Sequence, residues 1–216
     1  MGNSFRSEVV KPRFVLPRLY AIANVSPFLS TADLIRFAEE LVAGGIALLQ
    51  YRNKSGNSRE ILDHAVALKQ RLADSVKLVM NDRADLCVAA DFDGVHVGQD
   101  DLSPKGARTV VGAQRWLGVS THNPDQLHAA AMTSADYLAI GPVFATSSKE
   151  NPDPLVGLAG IRAARALTRT PLVAIGGITR ENCESVIEAG ADSVAVISDL
   201  IDEPRKSVQD FLRRLG

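Results

Sequence analysis

KLVMNDRADLCVAADFDGVHVGQDD, residues 77–101, holds two short apolar runs that each break off into polar and acidic residues. Residues 77–80 read as a buried strand running into Asn81 and Asp82, and residues 94–97 as a second strand running into Gln99, Asp100 and Asp101. The stretch 84–90 between them is long enough for a short helix. No tight hairpin signal joins the runs, so the unit reads as a parallel strand–helix–strand crossover with both acidic ends on one side of a sheet. Asp82 and Asp101 then converge. Two carboxylates with room for water and phosphate oxygens form a donor set that Mg2+ accepts alongside a substrate's own phosphates. A commoner reading competes, because Asp82 also has the position of a helix N-cap ahead of ADLCVAA.

The surrounding chain has 216 residues, 46% hydrophobic and 23% charged, the composition of one globular domain with a sizeable core. Its 24 Lys and Arg against 25 Asp and Glu leave a formal charge of -1, so bulk charge offers no attraction for nucleic acid or an anionic membrane. No run approaches the roughly 18 apolar residues of a membrane span, and no secretory apolar core opens the chain. Cys87 and Cys183 lie in apolar helical patterns without metal-ligand spacing, so a reducing, cytoplasmic setting is expected. Residues 1–17 read as a tail and residues 18–216 as the domain.

From Leu19 onward, strand-like runs alternate with helix-length segments. Strands are expected at 19–24, 46–51, 77–80, 93–97, 116–119, 137–141, 172–175 and 193–197. Thr31, Ser58, Asn123-Pro124 and Thr179 carry helix-start signals, and Gly44-Gly45 a stop. Nearly continuous apolar strands alternating with helices imply an all-parallel sheet covered on both faces. Eight such units in a chain of this length close most economically into an α/β fold, a single (β/α)8 TIM barrel. An open doubly wound sheet is the competitor, but no Gly-x-Gly-x-x-Gly follows the first strand. A barrel puts its chemistry at the C-terminal strand ends.

What collects at those ends is therefore informative. Strand two ends in Gln50, Arg52 and Lys54 at alternate positions, a phosphate clamp or a solvated basic loop. Strands three and four supply Asn81, Asp82, Gln99 and Asp101, and strand five Ser120, Thr121 and His122. After strand six comes a long loop, 141–157, with its own polar cluster at Thr146, Ser148 and Lys149, which suggests a lid. Strand seven ends in Gly176-Gly177-Ile178 and strand eight in Ile197-Ser198, where barrels commonly hold a phosphate, although glycines also simply turn a chain. His64 and His128 fall in helical patterns, His96 lies within strand four, facing either the barrel interior or the helical layer and read as a hydrogen-bonded structural histidine, and His122 stays open. Acids, cations and a glycine-rich loop together imply two anionic ligands, one of them a metal-bridged diphosphate whose departure the site neutralises.

At these residues the chain resembles the thiamine-phosphate synthase family. The matching signatures are Gln50-x-Arg52-x-Lys54, Asn81-Asp82-Arg83, Gly94-Val-His-x-Gly-Gln99-x-Asp101, Gly118-x-Ser120, Gly141-Pro-x-Phe-x-Thr146-x-Ser148-Lys149, Gly176-Gly177-Ile178 and Val196-Ile197-Ser198. The resemblance implies a (β/α)8 barrel that joins hydroxymethylpyrimidine diphosphate to thiazole phosphate by a dissociative substitution, releasing pyrophosphate and requiring Mg2+. It implies that Asp82 and Asp101 bind the metal. Gln50, Arg52, Lys54, Asn81, Ser120 and Lys149 would hold the pyrimidine diphosphate, with Arg52, Lys54, Ser120 and Lys149 the catalytic group. Thr146, Ser148, Gly177, Ile197 and Ser198 would hold the thiazole phosphate. Its partners are these small molecules, with no nucleic acid and no membrane, and a homo-oligomer is left open. Two departures stand out: Ser148 replaces a usual threonine, and the first strand ends in Ala23-Asn24 where the family commonly has Thr-Asp. A sister family, thiazole tautomerase, is the alternative activity, with His122 as its carrier, and a non-catalytic thiazole-phosphate-binding barrel is a further one.

Overall fold

The computed structural model describes residues 15–26, 28–72, 75–146 and 154–216. Most of the 1–17 tail, and both Ser148 and Lys149, lie outside the described residues. Strands β1 (Leu19–Asn24), β2 (Leu48–Arg52), β3 (Lys77–Asn81), β4 (Gly94–Val97), β5 (Trp116–Thr121), β6 (Tyr137–Ile140), β7 (Leu172–Ile175) and β8 (Ser193–Val196) form a closed barrel in sequence order. Every neighbouring pair is parallel, with β1 hydrogen-bonded to β8 at the seam. Helices α1 (Thr31–Gly44), α2 (Ser58–Leu72), α3 (Ala84–Ala89), α4 (Pro104–Val111), α5 (Pro124–Ala131), α6 (Gly157–Leu167), α7 (Cys183–Glu188) and α8 (Pro204–Leu215) alternate with the strands. Among the described residues no helix is long and apolar enough to cross a membrane.

Period-two alternation divides each strand between two cores. Leu19, Ala21 and Ala23 of β1 pack against the helices, while Tyr20 and Ile22 point into the barrel beside Leu48, Val79, Tyr137 and Val173. The helices bury their apolar stripes on the outer core, for example Leu34, Phe37, Ala38 and Leu41 of α1.

Local chemistry sets the helix ends, with one departure from the sequence expectation. The cap of α1 is Ser30 rather than Thr31: its Oγ accepts the Asp33 N–H at 3.2 Å and donates to the Asp33 carboxylate at 2.7 Å. Helix α7 is regular only from Cys183, but the turn before it is built on Thr179 as the sequence suggests: the Thr179 carbonyl accepts the Cys183 N–H at 3.0 Å, its Oγ1 the Glu181 N–H at 3.3 Å, and the Asn182 amide oxygen accepts the Thr179 N–H at 2.9 Å. Asn123 caps α5 and Gly45 ends α1 in the left-handed region at φ 108°, as expected.

At the N-terminal end of the barrel one arrangement recurs before β4, β6 and β8. Asp93, Asp136 and Asp192 donate their backbone N–H to the carbonyls of Leu78, Leu117 and Leu172 at 2.9, 2.8 and 2.8 Å. Their carboxylates accept the N–H of the same three leucines at 2.9, 2.9 and 2.8 Å. Lys77, Arg108 and Arg165 pair with the three acids in turn. Each odd strand is thereby pinned to the even strand that follows it. Asp192→Ala strips the Leu172 N–H and Arg165 of an acceptor, so it is expected to lower unfolding free energy by about 1–3 kcal/mol in denaturant titration. Turnover under native conditions should be unchanged, since the change lies at the end of the barrel away from the strand C-termini.

Candidate active site

The C-terminal strand ends surround a cavity of about 460 Å3, the size of a small-ligand site. Gln50, Arg52, Lys54, Asn81, Asp82 and Asp101 line it from β2 to β4. Ser120, Thr146, Gly177, Ile197 and Ser198 line it from β5 to β8. The described residues singled out from the strand ends thus meet in one space, except Thr121, which is buried with its hydroxyl donating to the Ala139 carbonyl at 2.8 Å.

Asp82 is no helix cap. Its backbone stands at φ 60°, its N–H donates to the His96 carbonyl at 2.8 Å, and the residue at the cap position of α3 is Arg83, which makes no side-chain cap bond. Lys54 Nζ forms an ion pair with Asp82 Oδ2. Burial pushes the Asp82 carboxyl above the usual carboxylate range; Lys54 pulls it down, and the adjacent Asp101 pushes it up again. Asp101 Oδ2 accepts the Gly98 N–H at 2.7 Å, which fixes the second acid. Two facing carboxylates in a partly desolvated place repel unless a cation lies between them. The neighbouring Asn81 Nδ2 is buried and without a protein partner, a donor left over for a ligand. Among the described residues no third acid, His or Cys completes a metal cluster. A cation on Asp82 and Asp101 would draw its remaining ligands from phosphate oxygens and water, the habit of Mg2+.

The basic side is set by β1 and β2 together. Arg52 Nη1 donates to Asn24 Oδ1 at 2.6 Å, and Asn24 Nδ2 donates to Ser26 Oγ at 3.0 Å, which turns the amide oxygen toward the guanidinium. Burial lowers the Arg52 pKa and the nearby Asp82 charge opposes that fall. The Asn24 departure therefore keeps the hydrogen bond to Arg52 while adding no negative charge. Asn24→Ala removes the tether alone, and about a 10-fold rise in KM for the anionic substrate that Arg52 meets is expected, corresponding to roughly 1.4 kcal/mol. Initial rates across substrate concentration measure it; an unchanged KM would leave the tether without a role.

The opposite arc is built on backbone. Gly176 and Gly177 stand at φ 102° and 63°, and a Cβ on Gly177 would come within 2.4 Å of the Ala145 carbonyl. Only glycine lets the β7 loop pass this close under the β6 loop, whose Val143 and Phe144 N–H groups bond to the Ile175 and Gly176 carbonyls at 2.9 and 3.0 Å. Asp199, just beyond Ser198, accepts the Arg180 backbone N–H at 2.8 Å and its Nε at 3.1 Å. This clamp joins the end of β8 to the glycine loop, and Gly176, Gly177, Ile197 and Ser198 line the cavity there, a glycine-rich turn of the kind whose backbone N–H groups favour an anion.

His96 faces the barrel interior, hydrogen-bonded on both ring nitrogens. Burial pulls its pKa down to about 4, with Asp101 opposing, so the ring is neutral near pH 7. His122 also lines the cavity, its Nδ1–H donating to the Gly141 carbonyl at 2.7 Å. Four contributors escaped the strand-end reading. Asn24 and Asp199 hold other residues rather than the cavity itself. Tyr20 and Tyr137 read as ordinary strand residues, and only the inward direction of alternate β1 and β6 positions exposes them as polar.

The family model for thiamine monophosphate synthase matches residues 19–200. The thiamine-phosphate synthase of Koribacter versatilis (strain Ellin345) is 64% identical over 203 residues, covering 93% of this chain and 96% of that one. That of Xanthobacter autotrophicus (strain ATCC BAA-1158 / Py2) is 46% identical over 168 residues, covering 77% and 80%. Among solved structures, the thiamine phosphate pyrophosphorylase from Pyrococcus furiosus superposes with a TM-score of 0.80 at 28% identity, covering 92% of this chain and 95% of that one.

Proposed function

This chain belongs to the thiamine monophosphate synthase family, and on that premise we propose that its cavity joins 4-amino-2-methyl-5-hydroxymethylpyrimidine diphosphate to thiazole phosphate, with Asp82 and Asp101 holding Mg2+. The observation that carries this reading is that one cavity is lined on one arc by acids and cations and on the other by a glycine pair and hydroxyl-bearing residues. The first suits a diphosphate with its cation, the second a monophosphate.

Arg52 and Lys54 neutralise the diphosphate, with Lys149 assigned to the same task by its place in the Thr146-x-Ser148-Lys149 signature. Gln50, Asn81 and Ser120 orient the pyrimidine ring. Thr146, Ser148, Gly177, Ile197 and Ser198 hold the thiazole phosphate. Mg2+, when bound, shares the charge that grows on the diphosphate oxygens. The bond between the pyrimidine methylene carbon and the diphosphate oxygen breaks, and the electron pair leaves with the diphosphate. The amino group of the ring stabilises the resulting cation until the thiazole nitrogen lone pair forms the new C–N bond. No side chain has to take a proton in these steps, which accords with a site whose charged groups position and neutralise. A thiazole tautomerase would leave the acid pair and the cations idle.

The test is direct. Purified protein given both substrates and Mg2+ is expected to form thiamine phosphate and pyrophosphate in equal amounts, and to stop when the cation is chelated. Absence of pyrophosphate with all three present would sink the reading.

A further inference from the structure

Below the mouth, a run of polar side chains crosses the barrel interior from β2 to β5. Gln50 Nε2 donates to the Tyr20 hydroxyl at 2.8 Å, and the Tyr20 and Tyr137 oxygens lie 3.0 Å apart. The Tyr137 oxygen is 3.1 Å from His96 Nδ1, and His96 Nε2 is 2.8 Å from Ser120 Oγ. Gln50 and Ser120, the two ends, line the cavity, while Tyr20 and Tyr137 are fully buried. The backbone makes room for this path. Gly118 of β5 stands in register with His96 on one side and Tyr137 on the other, and a Cβ there would lie 2.1 Å from the Tyr137 ring and 2.4 Å from His96 Nδ1. The two rings stack across the gap with centroids 5.5 Å apart.

Proton accounting gives the run a direction. A phenol has a single proton to give, and a neutral imidazole has one N–H and one acceptor nitrogen. Because Gln50 donates into Tyr20, the Tyr20 proton goes on to Tyr137 and the Tyr137 proton to His96 Nδ1. The His96 proton then sits on Nε2 and is donated to Ser120. At the cavity wall this leaves the Gln50 carbonyl oxygen as an acceptor and the Ser120 hydroxyl as a donor. Turning the Gln50 amide over would reverse every bond and exchange the two roles. The ends are therefore coupled, one accepting whenever the other donates.

We infer that Tyr20, Tyr137 and His96 are positioning residues that form a hydrogen-bond wire, keeping Gln50 an acceptor and Ser120 a donor and so selecting an amino-substituted over an oxo-substituted pyrimidine. This rests on the reading of the cavity as a pyrimidine diphosphate site. A 4-aminopyrimidine brings an N–H donor and a bare ring nitrogen, which match the two ends. Its 4-oxo counterpart carries an acceptor oxygen and a protonated ring nitrogen, and meets acceptor with acceptor and donor with donor.

The experiment measures inhibition constants of the 4-amino and 4-oxo hydroxymethylpyrimidine monophosphates, which bind without the chemical step. Wild type is expected to prefer the amino compound by about 100-fold, and Tyr137→Phe and Tyr20→Phe, which cut the wire, by about 10-fold or less. A purely structural role for the tyrosines would weaken both compounds alike and leave the ratio intact, which would overturn the proposal. Nitrogen NMR of wild-type protein with labelled histidine supplies a reading that needs no variant. His96 is expected as the Nε2–H tautomer, and the Nδ1–H tautomer in the presence of the amino compound would overturn the wire. Failure of the underlying function shows itself separately, as wild-type protein that releases no pyrophosphate from the diphosphate substrate while His96 keeps the expected tautomer; that result removes the proposed selection as well.

Discussion

Asp82→Asn is expected to lower turnover by on the order of 100-fold or more, the equivalent of about 3 kcal/mol of transition-state stabilisation, and Asp101→Asn to do the same. Asparagine is the informative replacement at 82 because the backbone there stands at φ 60°, a conformation that Asn tolerates and Ala resists. The change removes charge without adding strain. Lys54 then loses its carboxylate partner, and Asp101 loses the neighbour that repels it. On the proposed metal site the remaining acid would hold a cation more weakly, so the loss should be greatest at low Mg2+ and should shrink partly as Mg2+ is raised. Turnover measured across a Mg2+ titration, with circular dichroism to confirm the fold, decides the matter. Wild-type rates at limiting Mg2+ in either variant would remove that residue from the metal site.

Arg52→Ala should lower kcat/KM for the pyrimidine diphosphate by about 1000-fold, roughly 4 kcal/mol, while changing the affinity for thiazole phosphate by no more than about 2-fold. The guanidinium is partly buried, tied to a neutral amide and close to the Asp82 charge, so its removal takes a positive charge from the cavity wall. Lysine should restore little, since an ammonium cannot reproduce the fork that meets both Asn24 and a phosphate. Ser198→Ala should act in the opposite sense, weakening thiazole phosphate by about 10-fold and sparing the diphosphate. Separate titration of each ligand against each variant measures the partition. Equal losses of both ligands in both variants would mean that the cavity is not divided into two arcs.

Much of this was legible in the chain. Alternating apolar runs and helix signals lead to the closed barrel, and the rule that barrels work at strand C-termini points to the end of the barrel where the cavity lies. What stayed hidden has physical reasons. Ser30 and Thr31 are adjacent hydroxyls, either able to cap, and only backbone geometry separates them. Thr179 does begin the turn that leads into α7, and the sequence does not show that the helix becomes regular only at Cys183. Tyr20 and Tyr137 are spaced 117 residues apart and meet only because β1 and β6 face each other across the interior. Asp82 carried two readings in sequence, and the positive φ that excludes the cap is a property of the folded turn.

The three aspartate pins at the other end of the barrel bear on how such a chain can vary over time. Each pin lies within a single odd–even strand pair and at the end remote from the substrates. Part of the cohesion between neighbouring strands is thus carried by residues remote from the substrate end. A lineage can exchange an acid for Asn24, or a threonine for Ser148, and try the result on substrates without first risking the barrel itself.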